Sequence, residues 1–148
     1  MALSLVTIGG KITAAVINAL IALPTTYTPS LTNCTLGTTG SILNGDYTIS
    51  GGGIVTGWVD ITLGTGGGIS GTLIVGLPVP AVTGHPHIGT FFAAQGTAAS
   101  GRTFGAAELN STADVILVSS SGPIIAAGTP AAWVSGNSIR FQFCYKAA

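Results

Sequence analysis

Short segments of alternating apolar and polar residues recur along the chain and constrain its fold more than any other feature. The clearest is segment 139–146, in which polar residues alternate with four apolar ones, Ile139, Phe141, Phe143 and Tyr145. Because successive side chains of a strand point to opposite faces, this pattern predicts a strand with one buried face. Segment 55–63 has the same character. Its Trp58 lies on the polar face, opposite an apolar face of Val55, Val59, Ile61 and Leu63.

Six further segments have the length and composition of short strands, and clusters of Gly, Ser, Asn, Asp and Pro separate them. The predicted strands are 30–36, 45–50, 55–63, 71–75, 88–93, 100–107, 113–119 and 139–146. Strands at a spacing of roughly ten residues are typical of sandwiches and related folds. We therefore predict an all-β body over residues 27–148, folded as an antiparallel, jelly-roll-like β-sandwich.

Residues 1–26 differ from the body and form a predicted N-terminal leader. Thr13 is a suitable N-cap for a short helix over residues 14–23, and Pro24 ends it. The helix is apolar on nearly every side and must be buried. Its candidate assembly residues are Val16, Ile17, Asn18, Leu20, Ile21 and Leu23. Two interpretations stay open: attachment in a bundle or a host protein, and docking on the chain's own body.

The chain carries very little charge. Four Lys and Arg balance four Asp and Glu, and charged residues make up 5% of the sequence. Four scattered cations cannot neutralise a phosphate backbone, so no nucleic-acid partner is expected. The longest apolar stretch is also too short to cross a bilayer, which takes about 20 residues, so no membrane insertion is expected. A neutral surface suits a chain packed against identical copies or other subunits.

Groups that could support catalysis are few. The carboxylates are Asp46, Asp60, Glu108 and Asp114, and nothing in their spacing singles out a pair for acid–base chemistry. The sequence has no GxSxG motif, and its two histidines lie two residues apart in one predicted loop. We therefore expect neither enzymatic activity nor a cofactor.

The segment His85-Pro86-His87 is the one compact feature that resembles a metal site. One chain offers two imidazoles there, too few for a closed site, whereas three copies around a three-fold axis would offer six. The favoured interpretation is an ordinary exposed loop without a metal, and His85 and His87 are weak candidates only.

Two other features bear on binding and redox state. Trp58 is a candidate surface for stacking a sugar, although a tryptophan is more often a core or interface residue. Cys34 and Cys144 are too few for a metal site. We favour two free thiols, one packed as a small apolar residue and one facing a partner, over a disulfide between them.

Several segments together resemble a known family. They are TYTPSLTN (26–33), GIVTGWVDITLG (53–64), residues 69–71 and 77–79, WVSGNSIRFQFCY (133–145) and, in the leader, GKITAAVINAL (10–20). This set resembles the small β-sandwich module of minor tail and fibre-like virion proteins of tailed bacteriophages, especially those that infect actinobacteria. The leader is similar to the attachment segment that often precedes the module.

The resemblance implies a non-catalytic structural component located in the virion, a homotrimer that contacts other virion proteins. It also leaves room for contact with a glycan of the host cell surface. A capsid decoration or head-fibre protein on the same kind of particle is one alternative. A secreted carbohydrate-binding domain is a second.

Overall fold

The structure is a computed structural model, and it describes residues 23–96 and 101–148. Within these residues there is no α-helix, and nine antiparallel strands form one sheet. The strands are β1 (Thr25–Tyr27), β2 (Leu31–Thr35), β3 (Ile42–Ile49), β4 (Ile54–Thr62), β5 (Gly68–Gly76), β6 (His87–Ala94), β7 (Arg102–Leu109), β8 (Asp114–Ser119) and β9 (Ser138–Lys146). The predictions of an all-β fold and of antiparallel pairing are confirmed.

The order of the strands forces the sheet to curl. The order is β1-β3-β4-β9-β6-β7-β8-β5-β2, so the first two strands of the chain lie at opposite edges. Only residues 28–30 connect them. A flat sheet of this size would be about 38 Å wide at about 4.8 Å per strand, whereas the connection spans at most about 14 Å. The two edges must therefore approach each other, and the backbone N–H of Gly76 on β5 donates to the Ser30 carbonyl at 2.8 Å.

The inner face of the curled sheet holds the hydrophobic core. On β9 the four predicted apolar positions, Ile139, Phe141, Phe143 and Tyr145, are buried, and their polar neighbours are exposed. On β4 the predicted inner positions Val55, Val59 and Ile61 are likewise buried, as is Leu63 just beyond the strand. The faces predicted for these two strands are confirmed.

The eight predicted strands correspond to β2 to β9, with shifted ends. Strand β3 begins at Ile42, three residues before the predicted start. Strand β1 was not predicted, since two of its three residues fall in the segment assigned to the leader. A strand of three residues is too short to show alternation. It owes its place to pairing with β3, where Thr25 lies opposite Tyr47.

The predicted helix lies almost wholly outside the described residues, which begin at Leu23. Leu23 itself belongs to no helix or strand, and its side chain is 72% exposed. Leu23 precedes Pro24, and the proline ring disfavours a helical conformation at the residue before it. For this residue the prediction of a helical position is therefore wrong, whereas its burial against another copy or a host protein stays a prediction.

A core residue outside the strands completes the inner face. Ile125 is fully buried, and its backbone N–H donates to the Leu117 carbonyl on β8 at 2.8 Å. The N–H of Leu73 on β5 donates in turn to the Ile125 carbonyl at 3.0 Å. The segment around Ile125 thus fills the space where β5 and β8 separate beyond their short pairing at residues 74–76.

Both cysteines are free thiols, as predicted. Cys34 is half-buried on the edge strand β2, and Cys144 is exposed on β9, five strands away in the sheet order. Burial raises the pKa of the Cys34 thiol. The two side chains therefore fit the favoured interpretation, in which one packs against the core and one faces outward.

The raised pKa of the buried Tyr145 predicts that the folded chain loses stability in alkaline solution. Burial raises its pKa to about 12, and its hydroxyl donates to the Val79 carbonyl at 2.8 Å. Burial also raises the pKa of Tyr27. Because the unfolded phenols lose their protons near pH 10, the unfolded state binds fewer protons above that pH, and the free energy of unfolding must fall as the pH rises.

The measurement is the urea unfolding midpoint of the full chain between about pH 9 and about pH 12. Tyr145→Phe should reduce the slope of the free energy against pH above about pH 10, and adding Tyr27→Phe should reduce it further. Loss of the hydrogen bond to Val79 also lowers the free energy of unfolding of the variant below about pH 10, so the variants are compared by their slopes and not by their absolute values. An unchanged slope in the double variant would contradict the assignment.

Candidate functional site

The outer face of the sheet carries the most distinctive surface among the described residues. Residues that lie directly opposite each other on neighbouring strands share a face. Trp58 on β4 is opposite Gln142 on β9, and Gln142 is opposite Thr90 on β6. A second row runs alongside this one and extends one strand further, through Asp60, Arg140, Phe92 and Phe104. Strand order therefore brings these side chains together although they are distant in sequence.

Two shallow hollows lie along these rows and together form what we call the outer trough. The first, of about 330 Å³, is lined mainly by Trp58, Thr90, Phe92, Arg140 and Gln142. The second, of about 350 Å³, shares Thr90 and Gln142 with the first and adds Thr56 and Cys144. Gln142 and Thr90 lie between the two hollows and line both, so the trough consists of two adjacent hollows across β4, β9 and β6.

Hydrogen bonds and one ion pair order the polar groups of the trough. The Gln142 amide nitrogen Nε2 donates to the Thr90 hydroxyl at 3.3 Å. The Arg140 guanidinium Nε donates to Asp60 Oδ2 at 3.0 Å. The other oxygen, Asp60 Oδ1, is buried and accepts no hydrogen bond within the described residues. The ion pair thus neutralises a half-buried carboxylate and orients Arg140 across the end of the trough.

Aromatic side chains stand at the margins of the trough. Trp58 is 44% exposed and Phe92 40% exposed, and Phe104 in the second row is 65% exposed. The Arg102 guanidinium lies 5.6 Å from the centre of the Phe92 ring, within the range of a cation–π contact. Trp133, by contrast, is 6% exposed. The predicted position of Trp58 on the polar face of its strand is confirmed.

The predicted histidine pair lies at one end of the sheet. His85 is in the loop before β6 and His87 is the first residue of that strand, and both are exposed. His87 Nδ1 is 3.2 Å from Glu108 Oε1 on β7. Within the described residues, no three or more His, Cys, Asp or Glu side chains come together as a potential metal cluster. One chain therefore offers two imidazoles and a carboxylate, and only the pair His87–Glu108 is in contact.

The four carboxylates occupy separate settings. Asp60 is paired with Arg140, and Glu108 with His87. Asp114 accepts hydrogen bonds from the Asn110 amide at 2.7 Å and the Ser111 hydroxyl at 2.8 Å, and so stabilises its own turn. Asp46 lies on β3 opposite Trp58. In each contact described here the carboxylate stabilises a strand pair or a turn.

The predicted attachment residues precede most of the described part of the chain. Val16, Ile17, Asn18, Leu20 and Ile21 lie outside the described residues, and Leu23 is exposed just before β1. Across residues 23–96 and 101–148, no helix has the length and apolar character needed to span a membrane.

Comparisons with known proteins do not assign the chain to a family. A scan against protein-family models, a search of curated proteins and a search of solved structures each returned no match.

Sequence reasoning identified Trp58 but missed Phe92, Phe104 and Arg102. One local signal pointed to Phe92. Because Phe91 and Phe92 are adjacent in a predicted strand, their side chains must point to opposite faces, and the structure buries Phe91 and exposes Phe92. No local signal places Phe104 beside Phe92, since that contact depends on the pairing of β6 with β7.

Proposed function

We propose that this chain is a structural component of a bacteriophage virion, a trimeric protein of the minor tail or fibre type. Its N-terminal leader attaches it to the particle, and the β body is displayed toward the host surface. In this proposal the curled sheet serves as a jelly-roll-like β-sandwich head, and residues 14–22 form the helical part of the attachment segment.

The observation that carries the proposal is the apolar character of the exposed outer face. Three large apolar side chains on this face that lie outside the hollows of the trough are between 39% and 65% exposed: Ile42, Ile54 and Phe104. The whole chain has zero net charge. Proteins that work as free monomers rarely combine an exposed apolar surface with so little charge, because both promote association. A subunit that is covered by identical copies or other particle proteins has no such constraint.

Attachment through the leader is compatible with where the described chain begins. Strand β1 starts at Thr25 on an edge of the sheet, and Leu23 just before it is exposed. The described chain therefore enters the body at an edge of the sheet. Three bodies joined in this way act together on a surface, so weak contacts at each one are multiplied by avidity.

A secreted carbohydrate-binding domain is the second candidate function, and the outer trough is the observation that favours it. An exposed tryptophan beside amide and hydroxyl groups suits a sugar whether the chain is free or part of a particle.

A capsid decoration or head-fibre protein differs from the first proposal only in location. It would be present in hundreds of copies per particle, whereas a tail-tip protein would be present in a few.

Sedimentation equilibrium of the purified full chain at micromolar concentration tests the trimer. We expect a mass of about 44 kDa, three times the 14.6 kDa of one chain. The same chain, quantified by mass spectrometry in purified phage particles, should be present in a few copies per particle. A stable 14.6 kDa monomer would contradict the trimer.

A further inference from the structure

We propose that the outer trough is a binding site for a neutral oligosaccharide, with Trp58 as the stacking surface and Gln142 as the main polar contact. This inference deepens the proposed function, since it names the ligand class that the displayed body recognises. It rests on the shape, the lining groups and the charge balance of the trough.

The shape suits one or two sugar rings. Trp58 on β4 and Phe92 on β6 are separated by the single strand β9. They are two strands apart, at about 4.8 Å per strand, and two residues apart along the strands, at about 3.4 Å per residue, so their Cα atoms lie about 12 Å apart on a diagonal and leave room for one pyranose ring. The second hollow lies on the other side of the hydrogen-bonded pair Gln142 and Thr90, and a second ring has room there beside Thr56.

The lining groups match the two kinds of surface that a sugar presents. A pyranose has apolar C–H faces and a rim of hydroxyl groups. The exposed face of Trp58 offers an apolar surface on which the C–H face of the sugar can stack. Gln142 donates one amide hydrogen to Thr90. A primary amide has a second hydrogen and a carbonyl oxygen, so it can donate to one hydroxyl and accept from another. The Thr56 and Thr90 hydroxyls extend the polar floor.

The charges around the trough favour a neutral ligand. Arg140 is paired with Asp60 at 3.0 Å. Arg102, stacked on Phe92, and Asp46, opposite Trp58, add one charge of each sign. Two cations and two anions therefore surround the first hollow. Lys146, beyond Cys144 on the same face of β9, adds one positive charge near the second hollow, and its ammonium group donates to the Gly52 carbonyl. The charges of the trough thus nearly balance, which favours a neutral ligand over a multiply charged anion.

The two tryptophans provide a direct measurement on the full chain. Trp58 is 44% exposed and Trp133 is 6% exposed, so quenching by acrylamide reports mainly on Trp58. The probes are a set of neutral oligosaccharides, namely maltotetraose, cellotetraose, chitotetraose, mannotetraose and galactotetraose, together with an acidic hyaluronan tetrasaccharide. We expect at least one neutral probe to protect Trp58 from quenching in a saturable manner and the acidic probe to protect it less.

Three substitutions assign that protection to the trough. Trp58→Ala should weaken binding by about tenfold or more, measured by calorimetry because this variant lacks the reporter, and Gln142→Ala by about fivefold. Trp58→Phe, which keeps an aromatic ring, should retain part of the affinity. Val134→Ala is the control, because it removes an exposed apolar side chain from the loop before β9, outside both hollows, and it should leave binding within about twofold. Unchanged unfolding midpoints establish that each variant is folded.

Several results would overturn the inference. They are the absence of binding by any neutral probe, binding that survives Trp58→Ala, or stronger binding of the acidic probe. Protection of Trp58 by raising the protein concentration alone would show that a second copy occupies the trough. None of these results changes the expected trimer mass or the copy number in particles. Saccharide binding by a chain that is monomeric and absent from particles would instead uphold this inference and reject the proposed function.

Discussion

Ile125→Ala should lower the free energy of unfolding by about 2–5 kcal/mol, as much as the loss of a core residue from a central strand. Ile125 lies outside the nine strands, yet it is fully buried and bonded through its backbone to both β5 and β8. Its side chain closes the inner face where those strands separate. Truncation to alanine leaves a cavity that the hydrogen-bonded backbone on both sides cannot close.

The neighbouring residue supplies the control. Ile124 is 38% exposed, so Ile124→Ala makes the same chemical change one position away and should cost about 1 kcal/mol or less. The measurement is guanidinium unfolding of both variants and the parent chain at one protein concentration, since the stability of an oligomer depends on concentration. Equal costs for the two substitutions would show that the 124–126 segment does not complete the core.

A charge in the leader should abolish incorporation of the chain into particles. Val16→Asp and Leu20→Asp each place a carboxylate on the apolar stripe predicted for residues 14–23. A buried carboxylate without a partner costs several kcal/mol, which is enough to prevent a short segment from docking. The readout is the amount of the chain in purified particles, relative to a major capsid protein. We expect a fall of about tenfold or more.

Thr7→Asp is the matched control, because it adds the same charge to the leader ahead of the predicted helix. It should leave incorporation within about twofold of the parent chain. Deletion of residues 1–23 should prevent incorporation and leave a soluble β body. Normal incorporation of the deleted chain, or of both stripe variants, would reject attachment through the leader.

Strand positions could be predicted because they depend on local patterns. The alternation in residues 139–146 identifies β9 and its buried face with no knowledge of the neighbouring strands. Strand β1 and the buried Ile125 have no such pattern, and both owe their places to contacts with distant segments. Sheet order is likewise non-local. Only three residues separate β1 from β2 in sequence, yet the two strands lie at opposite edges of the sheet. This arrangement follows only from the packing of the whole curled sheet.

The residues of the candidate site also fall into two groups, those that a local pattern predicts and those that depend on contacts between distant segments. Trp58 could be assigned to an outer face from its own strand, since Val59 and Ile61 fix the opposite face. The trough could not be predicted, because Trp58, Gln142 and Thr90 become neighbours only through the pairing of β4, β9 and β6. Attachment residues 16–21 stay predictions, since they lie outside the described residues.

Electron cryo-microscopy of phage particles from a culture that encodes this chain tests the proposed function most directly. We expect three copies of the curled sheet around a three-fold axis at the tail, each joined to the particle through its N-terminal segment. Hundreds of copies on the capsid would contradict the tail location. Particles without the chain, accompanied by free 14.6 kDa protein in the medium, would contradict its role as a virion component.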